Sequence, residues 1–290
     1  MRIADALNSH LNINVKLAGL SPKTVESYEI SAKHITDFFG PDTNIAAITL
    51  DDVAAYFEHL KLWQSPDTAR GNLIAFRSVL NYARRRGWTN IDTELIKTAR
   101  REKRAVRWLE ADEVEELIAE VSRPRRGYSE MNRLRNIAIV RMLWASGIRV
   151  AELTALNRSD IHDRQFTVVG KSKNPRVCFI DPATEMAIAD YLQRRSDESQ
   201  ALFVSQGTGE RVSNGTVREI FRTICRNTSF EAVHPHTLRH SFATNMLSHD
   251  VDIRYIGAML GHESLDTTKA YTHLIDNNLR RIYDKVAQNY

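Results

Sequence analysis

The stretch HPHTLRHS, residues 234–241, places three histidines and one arginine within seven consecutive positions. Pro235 suits the first turn of a helix. His236, Arg239 and His240 then fall at positions i, i+3 and i+4, which predicts that they share one helix face. Such a face can bind a metal ion through its histidines, bind an anion through its arginine, or pack into a core. The choice among these three interpretations decides the fold and the function.

The metal interpretation is the weaker one. The residues after His236 are threonine and leucine, so the glutamate of a zinc-protease motif is missing, and no nearby acidic residue or cysteine is an obvious third ligand. Arg239 would repel a dication, but its planar guanidinium can bind two phosphate oxygens while His236 donates a further hydrogen bond. His240 is predicted to be a core histidine, and His234 has no predicted role. We therefore expect no metal and no cofactor.

Composition indicates a globular chain with two domains. The 290 residues are 42% apolar and 26% charged, and the net charge of +4 permits nucleic-acid binding without demonstrating it. The widely separated Cys178 and Cys225 argue against a disulfide framework and suit the cytosol. No signal peptide is recognisable, and the most apolar segment is interrupted by Arg141, Arg149 and Glu152. We expect a cytoplasmic protein without a membrane span.

Helix signals dominate the first third of the chain. Ser21 precedes a proline and can cap a helix that Gly40 is predicted to close in the left-handed conformation. Thr49 and Asp52 have the spacing of a capping box, and a second Ser-Pro pair begins a further helix. With a helix over residues 2–17, these signals predict a four-helix unit.

A dense basic run, residues 97–107, follows this unit. A charge run of this kind is either a solvated linker or a segment that follows a phosphate backbone. The arginines at positions 84–86 add a second basic cluster beside the same boundary. We place the two domains at residues 1–104 and 105–290.

The second domain is predicted to be helical with one hairpin. Apolar and β-branched residues flank the polar turn GKSKNP within residues 163–180, which predicts a β-hairpin with lysines at its tip. Everything after Pro182 is expected to be helical again. The fold class is therefore mainly α with a small antiparallel β-sheet.

The stretch SGIRVAEL, residues 146–153, carries a second anion signal. Gly147 ends one helix and Arg149 begins the next, where free backbone N–H groups and the helix dipole favour an anion. Arg149 is a candidate phosphate ligand. The alternative is an ordinary ion pair with Glu152, three residues further on.

Residues 260–274, LGHESLDTTKAYTHL, place a tyrosine nine positions after a histidine. Gly261 is predicted to break a helix, His262 follows in the turn, and Ser264 can cap a short helix that bears Tyr271. A tyrosine on a helix usually packs in a core, so the interest of Tyr271 depends on its surroundings.

Four stretches, in this order and spacing, resemble the tyrosine recombinase (phage-integrase) family. They are SGIRVAELTAL, VVGKSKNPR, HPHTLRHSFATNML and LGHESLDTTKAYTHL. The first domain is similar to the family's helical, SAM-like core-binding domain. The layout without an added arm-binding domain is similar to that of the Xer recombinases.

The resemblance implies a phosphate-binding set. Arg149 and Arg239 would bind the nonbridging oxygens of the scissile phosphate, His236 would act as acid/base or hydrogen-bond donor, and His262 would add a further contact. Without a metal, the phosphorane-like transition state would be stabilised mainly by fixed cations directed at its negative charge.

The resemblance also implies the reacting groups. Tyr271 would be the nucleophile, and Lys171 the general acid that protonates the leaving 5′ oxygen. This chain has Gly-Lys-Ser-Lys where the family usually has Gly-Lys-Gly, so Lys173 is an alternative acid, although Lys171 is favoured. Glu152 resembles an acidic position that supports the first arginine.

The implied function is site-specific recombination of duplex DNA through a 3′-phosphotyrosyl intermediate, without metal or ATP. The family further implies a two-domain DNA clamp on inverted-repeat half-sites, a homo-tetramer or an assembly with a partner recombinase, and a C-terminal exchange helix at about residues 276–290. The alternatives are a type IB-like topoisomerase, a non-catalytic DNA-binding relative, and a zinc hydrolase built on HTLRH.

Overall fold

The computed structural model describes residues 1–98, 107–124, 128–170, 174–226, 228, 230 and 233–261. The chain divides into two compact units, Met1–Arg104 and Ala105–Tyr290, and each has its own hydrophobic core. The described part is mainly helical, and its strands form one two-stranded antiparallel sheet. The predicted fold class is confirmed.

Within residues 1–98, four α-helices form the N-terminal unit. They and their extensions are α1 (Ile3–His10), a π-helical segment (Leu11–Lys16), α2 (Pro22–Phe39), a 3₁₀ turn (Ile45–Ala47), α3 (Leu50–Lys61) and α4 (Pro66–Arg85). An apolar stripe of α4 faces the core, because Leu73, Phe76 and Leu80 recur at helical spacing and are buried. The predicted four-helix unit is confirmed.

The predicted helix starts in this unit are also confirmed. The Ser21 hydroxyl accepts a hydrogen bond from the Thr24 N–H at 3.2 Å, with proline at the first helical position. The Thr49 hydroxyl accepts from the Asp52 N–H at 3.2 Å, and the Asp52 carboxylate accepts from the Thr49 N–H at 2.9 Å. Each cap satisfies backbone donors that have no partner inside the helix.

Two details differ from the sequence predictions. The helix expected over residues 2–17 is α-helical only to His10 and continues with wider, π-helical turns over Leu11–Lys16. Gly40 has a positive φ of 82°, but its ψ of 142° takes the chain into an extended path rather than the left-handed helical one. The path after Gly40 depends on contacts with the start of α1, whose Ile3 and Ala4 N–H groups donate to the Thr43 and Pro41 carbonyls, and local signals do not record such contacts.

The C-terminal unit packs helices around one small sheet. Its elements are α5 (Ala111–Ser122), α6 (Glu130–Ser146), α7 (Val150–Ala155), a 3₁₀ turn (Arg158–Asp160), β1 (Gln165–Val169), β2 (Pro175–Phe179), α8 (Pro182–Gln193), α9 (Asn214–Arg226), α10 (Pro235–Ser248) and α11 (Ile253–Leu260). Strands β1 and β2 pair antiparallel, with Gln165 opposite Phe179 and Val169 opposite Pro175. This is the predicted hairpin, although its tip at residues 171–173 lies outside the described residues.

The expectation that everything after Pro182 is helical is wrong for residues 194–213. This segment is organised by Arg195, whose buried guanidinium donates to the Ala201 and Leu202 carbonyls at 2.6 and 2.8 Å. Side-chain hydrogen bonds of this kind satisfy backbone carbonyls without a helix, and a charged residue in a polar segment does not reveal them in the sequence.

Candidate phosphate-binding site

The site begins where α6 stops at Gly147. This glycine is in the left-handed conformation, with φ 61°, and a Cβ there would lie 2.6 Å from Cδ1 of Phe242 and 2.8 Å from Cδ2 of Leu260. Only glycine accommodates both the backbone angle and this close approach. The end of α6 is therefore pressed against α10 and α11, and the chain is turned so that Arg149 begins α7.

Arg239 on α10 links the ends of α6 and α11 through hydrogen bonds. Its side chain is buried, and its two Nη atoms donate to the Gly147 carbonyl at 2.7 Å and the Leu260 carbonyl at 2.6 Å. Both carbonyls lie at the C-terminal ends of helices, where the backbone carries partial negative charge. The guanidinium is thus held rigidly by α6 and α11.

Arg149 is held in a different way, by a carboxylate. Its backbone N–H donates to Oε2 of Glu152 at 2.8 Å, and its Nη1 donates to Oε1 at 3.0 Å. The ion pair that the sequence offered as the alternative is therefore present. It leaves the Arg149 side chain 31% exposed while the Glu152 side chain is 6% exposed, so the pair orients the arginine without burying it.

Arg176, for which the sequence indicates no role, forms a cluster with Arg149 and Glu152. It stands on β2 and donates to both Glu152 oxygens, from Nη1 at 2.9 Å and from Nη2 at 2.6 Å. Burial by itself would raise the pKa of Glu152, but the hydrogen bonds from Arg176 and from Arg149 hold that pKa below its ordinary value. The acid is consequently ionised at neutral pH.

Two glycines bring the hairpin and α11 to this cluster. A Cβ on Gly170 would lie 3.7 Å from Oε1 of Glu152 and 3.8 Å from Nη1 of Arg149. A Cβ on Gly261 would lie 3.1 Å from Nη1 of Arg176. Three separate stretches of sequence therefore meet around one carboxylate.

Residues 236, 239 and 240 of HPHTLRHS differ in their exposure to solvent. His236 is exposed, His240 is half-buried, and Arg239 between them is buried. The pKa of His236 is lowered, first by partial burial of its ring and then by the neighbouring His234, Arg239 and Arg149. A neutral imidazole at the exposed end of a cationic face can donate one hydrogen bond and accept another.

His234, which had no predicted role, caps this helix. Its Nδ1 accepts a hydrogen bond from the Thr237 N–H at 3.1 Å, which makes it the N-cap of α10. A polar residue directly before a proline was the signal for it. The pKa of His240 is lowered mainly by burial, and the residue is half-buried, short of the core position that the sequence predicts.

The remaining predicted site residues are Lys171, its alternative Lys173, His262 and Tyr271, and they lie outside the described residues. So do the predicted exchange helix and positions 99–106 of the basic run. Within the described ranges, no group of three or more His, Cys, Asp or Glu side chains is arranged to hold a metal ion. No helix in the described ranges is long and apolar enough to cross a bilayer.

Comparison with known families matches both units. The phage integrase family model matches residues 107–278, and the model for the phage integrase N-terminal SAM-like domain matches residues 15–87. The tyrosine recombinase XerC of Alcanivorax borkumensis is 33% identical over 278 residues, covering 91% of this chain and 88% of the relative. XerD of Halalkalibacterium halodurans is 29% identical and covers 91% of each chain.

Solved structures share the fold. The XerH site-specific recombinase bound to palindromic difH substrate has a TM-score of 0.73 at 20% identity, over 97% of this chain and 84% of that one. A lambda integrase dimer bound to a core site also has a TM-score of 0.73, at 19% identity over 91% and 96% of the two chains. At these identities the likeness establishes the fold alone.

Proposed function

Because this chain belongs to the phage integrase family, we propose that it is a site-specific tyrosine recombinase that cuts and rejoins duplex DNA through a 3′-phosphotyrosyl intermediate, without metal or ATP. The observation that carries the proposal is the helix break at Gly147. The Gly147 carbonyl holds Arg239, and two residues later Arg149 begins the next helix. Two cations from distant sequence positions are thereby brought to one place, as a phosphate requires.

The proposed reaction assigns a role to each group. Arg149 and Arg239 stabilise the charge on the phosphate oxygens in the transition state, and His236 adds a hydrogen bond or a proton transfer. Rigid anchoring of both arginines supports this role, because positioned charges need no reorganisation as the reaction proceeds. His262 is proposed as a further phosphate contact.

The covalent step uses Tyr271 and Lys171. The Tyr271 oxygen forms a bond to phosphorus as its phenol proton passes to His236. The bond from phosphorus to the 5′ oxygen breaks, and Lys171 donates a proton to that leaving oxygen. The reverse reaction, with a new 5′ hydroxyl, releases the tyrosine and rejoins the strand. The phosphotyrosyl bond conserves the energy of the broken phosphodiester bond, so rejoining needs no ATP.

The wider assembly is part of the proposal. Residues 1–104 form the core-binding domain and residues 105–290 the catalytic domain, and together they grip duplex DNA at inverted-repeat half-sites. Four copies act together, linked by an exchange helix at about residues 276–290. The match to an N-terminal SAM-like domain and the DNA named with XerH and lambda integrase support DNA binding. A DNA-recombining enzyme acts where the DNA is, so we place it in the cytoplasm.

The test selects a DNA site first and then looks for a covalent adduct. Duplexes bound by the full chain are enriched from a randomised pool and rebuilt with a nick near the centre, so that cleavage releases a short strand and traps the enzyme. We expect an adduct in the presence of a chelator for the unaltered chain and none for Tyr271→Phe. Tyr255→Phe is the matched control, because Tyr255 is 66% exposed on α11 and should leave the adduct unchanged.

Other outcomes have definite meanings. An adduct that persists in Tyr271→Phe would move the nucleophile to another residue. Loss of the adduct on chelation would revive the metal interpretation. Rapid relaxation of plasmids that lack the selected site would favour topoisomerase activity, against which the recombinase names of the relatives argue.

A further inference from the structure

We propose that Arg176 is a positioning residue that keeps Arg149 oriented, and its charge uncancelled, for stabilising the cleavage transition state, although it does not touch the phosphate itself. The inference rests on the proposed function for its reaction. Its geometry comes entirely from described residues of the C-terminal unit.

The hydrogen-bond donors of the Arg176 guanidinium are directed into the protein. Its side chain is only 9% exposed, and its three nitrogens all donate to protein oxygens. Its Nη1 and Nη2 bind the two Glu152 oxygens, and its Nε donates to the Met259 carbonyl at 2.8 Å. The planar guanidinium therefore joins β2, α7 and the last turn of α11 in one arrangement.

Glu152 stands between two arginines with different exposures. Its carboxylate accepts the fork of Arg176 on one side, and the Arg149 backbone N–H and Nη1 on the other. Because these four hydrogen bonds occupy both oxygens, the carboxylate has one orientation. That orientation determines where the 31% exposed Arg149 side chain is anchored.

Charge balance gives Arg176 a second effect. Glu152 carries one negative charge, while Arg149 and Arg176 carry one positive charge each, so the cluster has a formal net charge of +1. Without Arg176, the buried carboxylate would offset the charge of Arg149, and the pair would stabilise the added charge of the transition state less strongly. With Arg176 present, Glu152 can orient Arg149 without cancelling the positive charge of the cluster.

The same guanidinium also supports the end of α11. A Cβ on Gly261 would lie 3.1 Å from both Cδ and Nη1 of Arg176, so the backbone passes directly over this side chain. Gly170 lies against the same cluster. In the sequence, these two glycines directly precede His262 and Lys171, both of which are in the proposed reaction.

The experiment separates binding from chemistry on the selected, nicked duplex. Arg176→Gln should lower the single-turnover cleavage rate constant on the order of 100-fold, because a misplaced group remote from the reacting bond costs about that much. The Kd for the uncleavable duplex should change by less than about threefold, since the cleavage step depends on alignment more than binding does. Arg176→Lys should recover only part of the rate, because an ammonium cannot form the planar fork.

A double-mutant cycle and a pH profile distinguish positioning from a merely structural role. If Arg176 acts through Glu152, then Arg176→Gln combined with Glu152→Gln should be far less harmful than the product of the two single effects. Removing Arg176 should also raise the pKa of Glu152, since Arg176 is among the groups that hold it down. Cleavage by Arg176→Gln should therefore fall on the acidic side of neutrality at a higher pH than cleavage by the unaltered chain.

The matched control is Arg141→Gln. Arg141 binds Glu115 through both Nη atoms, at 3.2 and 3.1 Å, in the same unit but away from the cluster. It should leave the rate constant unchanged. If circular dichroism shows that Arg176→Gln is unfolded, the test is made with Arg176→Lys instead.

The outcomes are distinguishable. Cleavage at the unaltered rate by folded Arg176 variants, or effects that simply multiply with those of Glu152→Gln, would overturn the inference while the recombinase function stands. A chain that forms no adduct even when unaltered would overturn the proposed function, and the inference with it.

Discussion

The two units bury polar side chains in opposite ways. In the N-terminal unit, His10 is almost fully buried among aromatic rings, and its Nε2 is hydrogen-bonded to the Ser78 hydroxyl. Its pKa is lowered to about 4, mainly by burial. In the C-terminal unit, Glu152, Arg176 and Arg239 are buried while charged, and each is bonded to several partners. Buried charges are poor stabilisers compared with well-packed apolar residues. Among the described residues, buried charged side chains occur in the C-terminal unit, where some hold a loop, as Arg195 does, and others hold the candidate phosphate-binding site.

The largest effect should come from removing a charge from the C-terminal unit. Arg239→Leu would leave the buried Gly147 and Leu260 carbonyls without their donor, and each unsatisfied group is costly. We expect the free energy of unfolding of this unit to fall by about 4 kcal/mol, measured by urea titration. Arg218→Leu, an exposed arginine on α9, is the control and should change it by less than about 0.5 kcal/mol. Equal effects would mean that the buried carbonyls find other donors.

Substitution of one glycine in each unit allows a direct comparison of how tightly the two helix ends are packed. Gly147 and Gly87 both end helices with positive φ, 61° and 72°. A Cβ at Gly147 would collide with Phe242 and Leu260, whereas one at Gly87 would meet nothing within 4 Å. Gly147→Ala should therefore cost about 3 kcal/mol and Gly87→Ala about 1 kcal/mol, because only the first adds overpacking to the backbone strain. Similar losses in thermal unfolding of the two variants would show that backbone strain alone governs both sites.

His10 predicts a pH dependence for the N-terminal unit. Its folded-state pKa of about 4 lies below the ordinary value of 6.5, so the unfolded chain takes up the proton first. The stability that neutral His10 provides is complete above pH 6.5 and is lost as the pH falls from 6.5 towards 4. Between pH 7 and pH 5 this loss is about 2 kcal/mol.

The measurement compares hydrogen exchange in peptides from residues 1–98 at the two pH values, for the unaltered chain and for His10→Gln. The substitution should remove most of the difference. His236 and His240 also have lowered pKa values, but they belong to the other unit and do not affect these peptides. A pH dependence that survives in His10→Gln would assign it to another group.

Local signals predicted the elements better than the contacts between them. The cap at Ser21, the capping box at Thr49 and the glycine that ends α6 were all predicted, because each depends on hydrogen bonds or backbone angles within a few residues. The sequence does not indicate the π-helical turns after α1 or the path at Gly40, and the chain after Gly40 pairs with the distant start of α1. The same limit explains the irregular segment organised by Arg195.

The site shows the same division. Motif and resemblance make Arg149, His236 and Arg239 candidate phosphate ligands, but the sequence offers phosphate binding and pairing with Glu152 as alternatives for Arg149. The structure shows that the pairing exists and leaves the arginine partly exposed, so the two are compatible. Arg176 was missed because a single arginine on a short strand has no signature of its own.

By itself, the sequence determined the mainly helical class, the hairpin, the helix caps and the family, because each is encoded by neighbouring residues or by ordered motifs. Only the tertiary structure decided that Gly147 brings α6, α10 and α11 together, that Arg239 is buried between helix ends, and that Arg176 shares Glu152 with Arg149. The physical reason is that these contacts join residues far apart in the chain, and hydrogen-bond geometry at such separations exists only after the helices have packed.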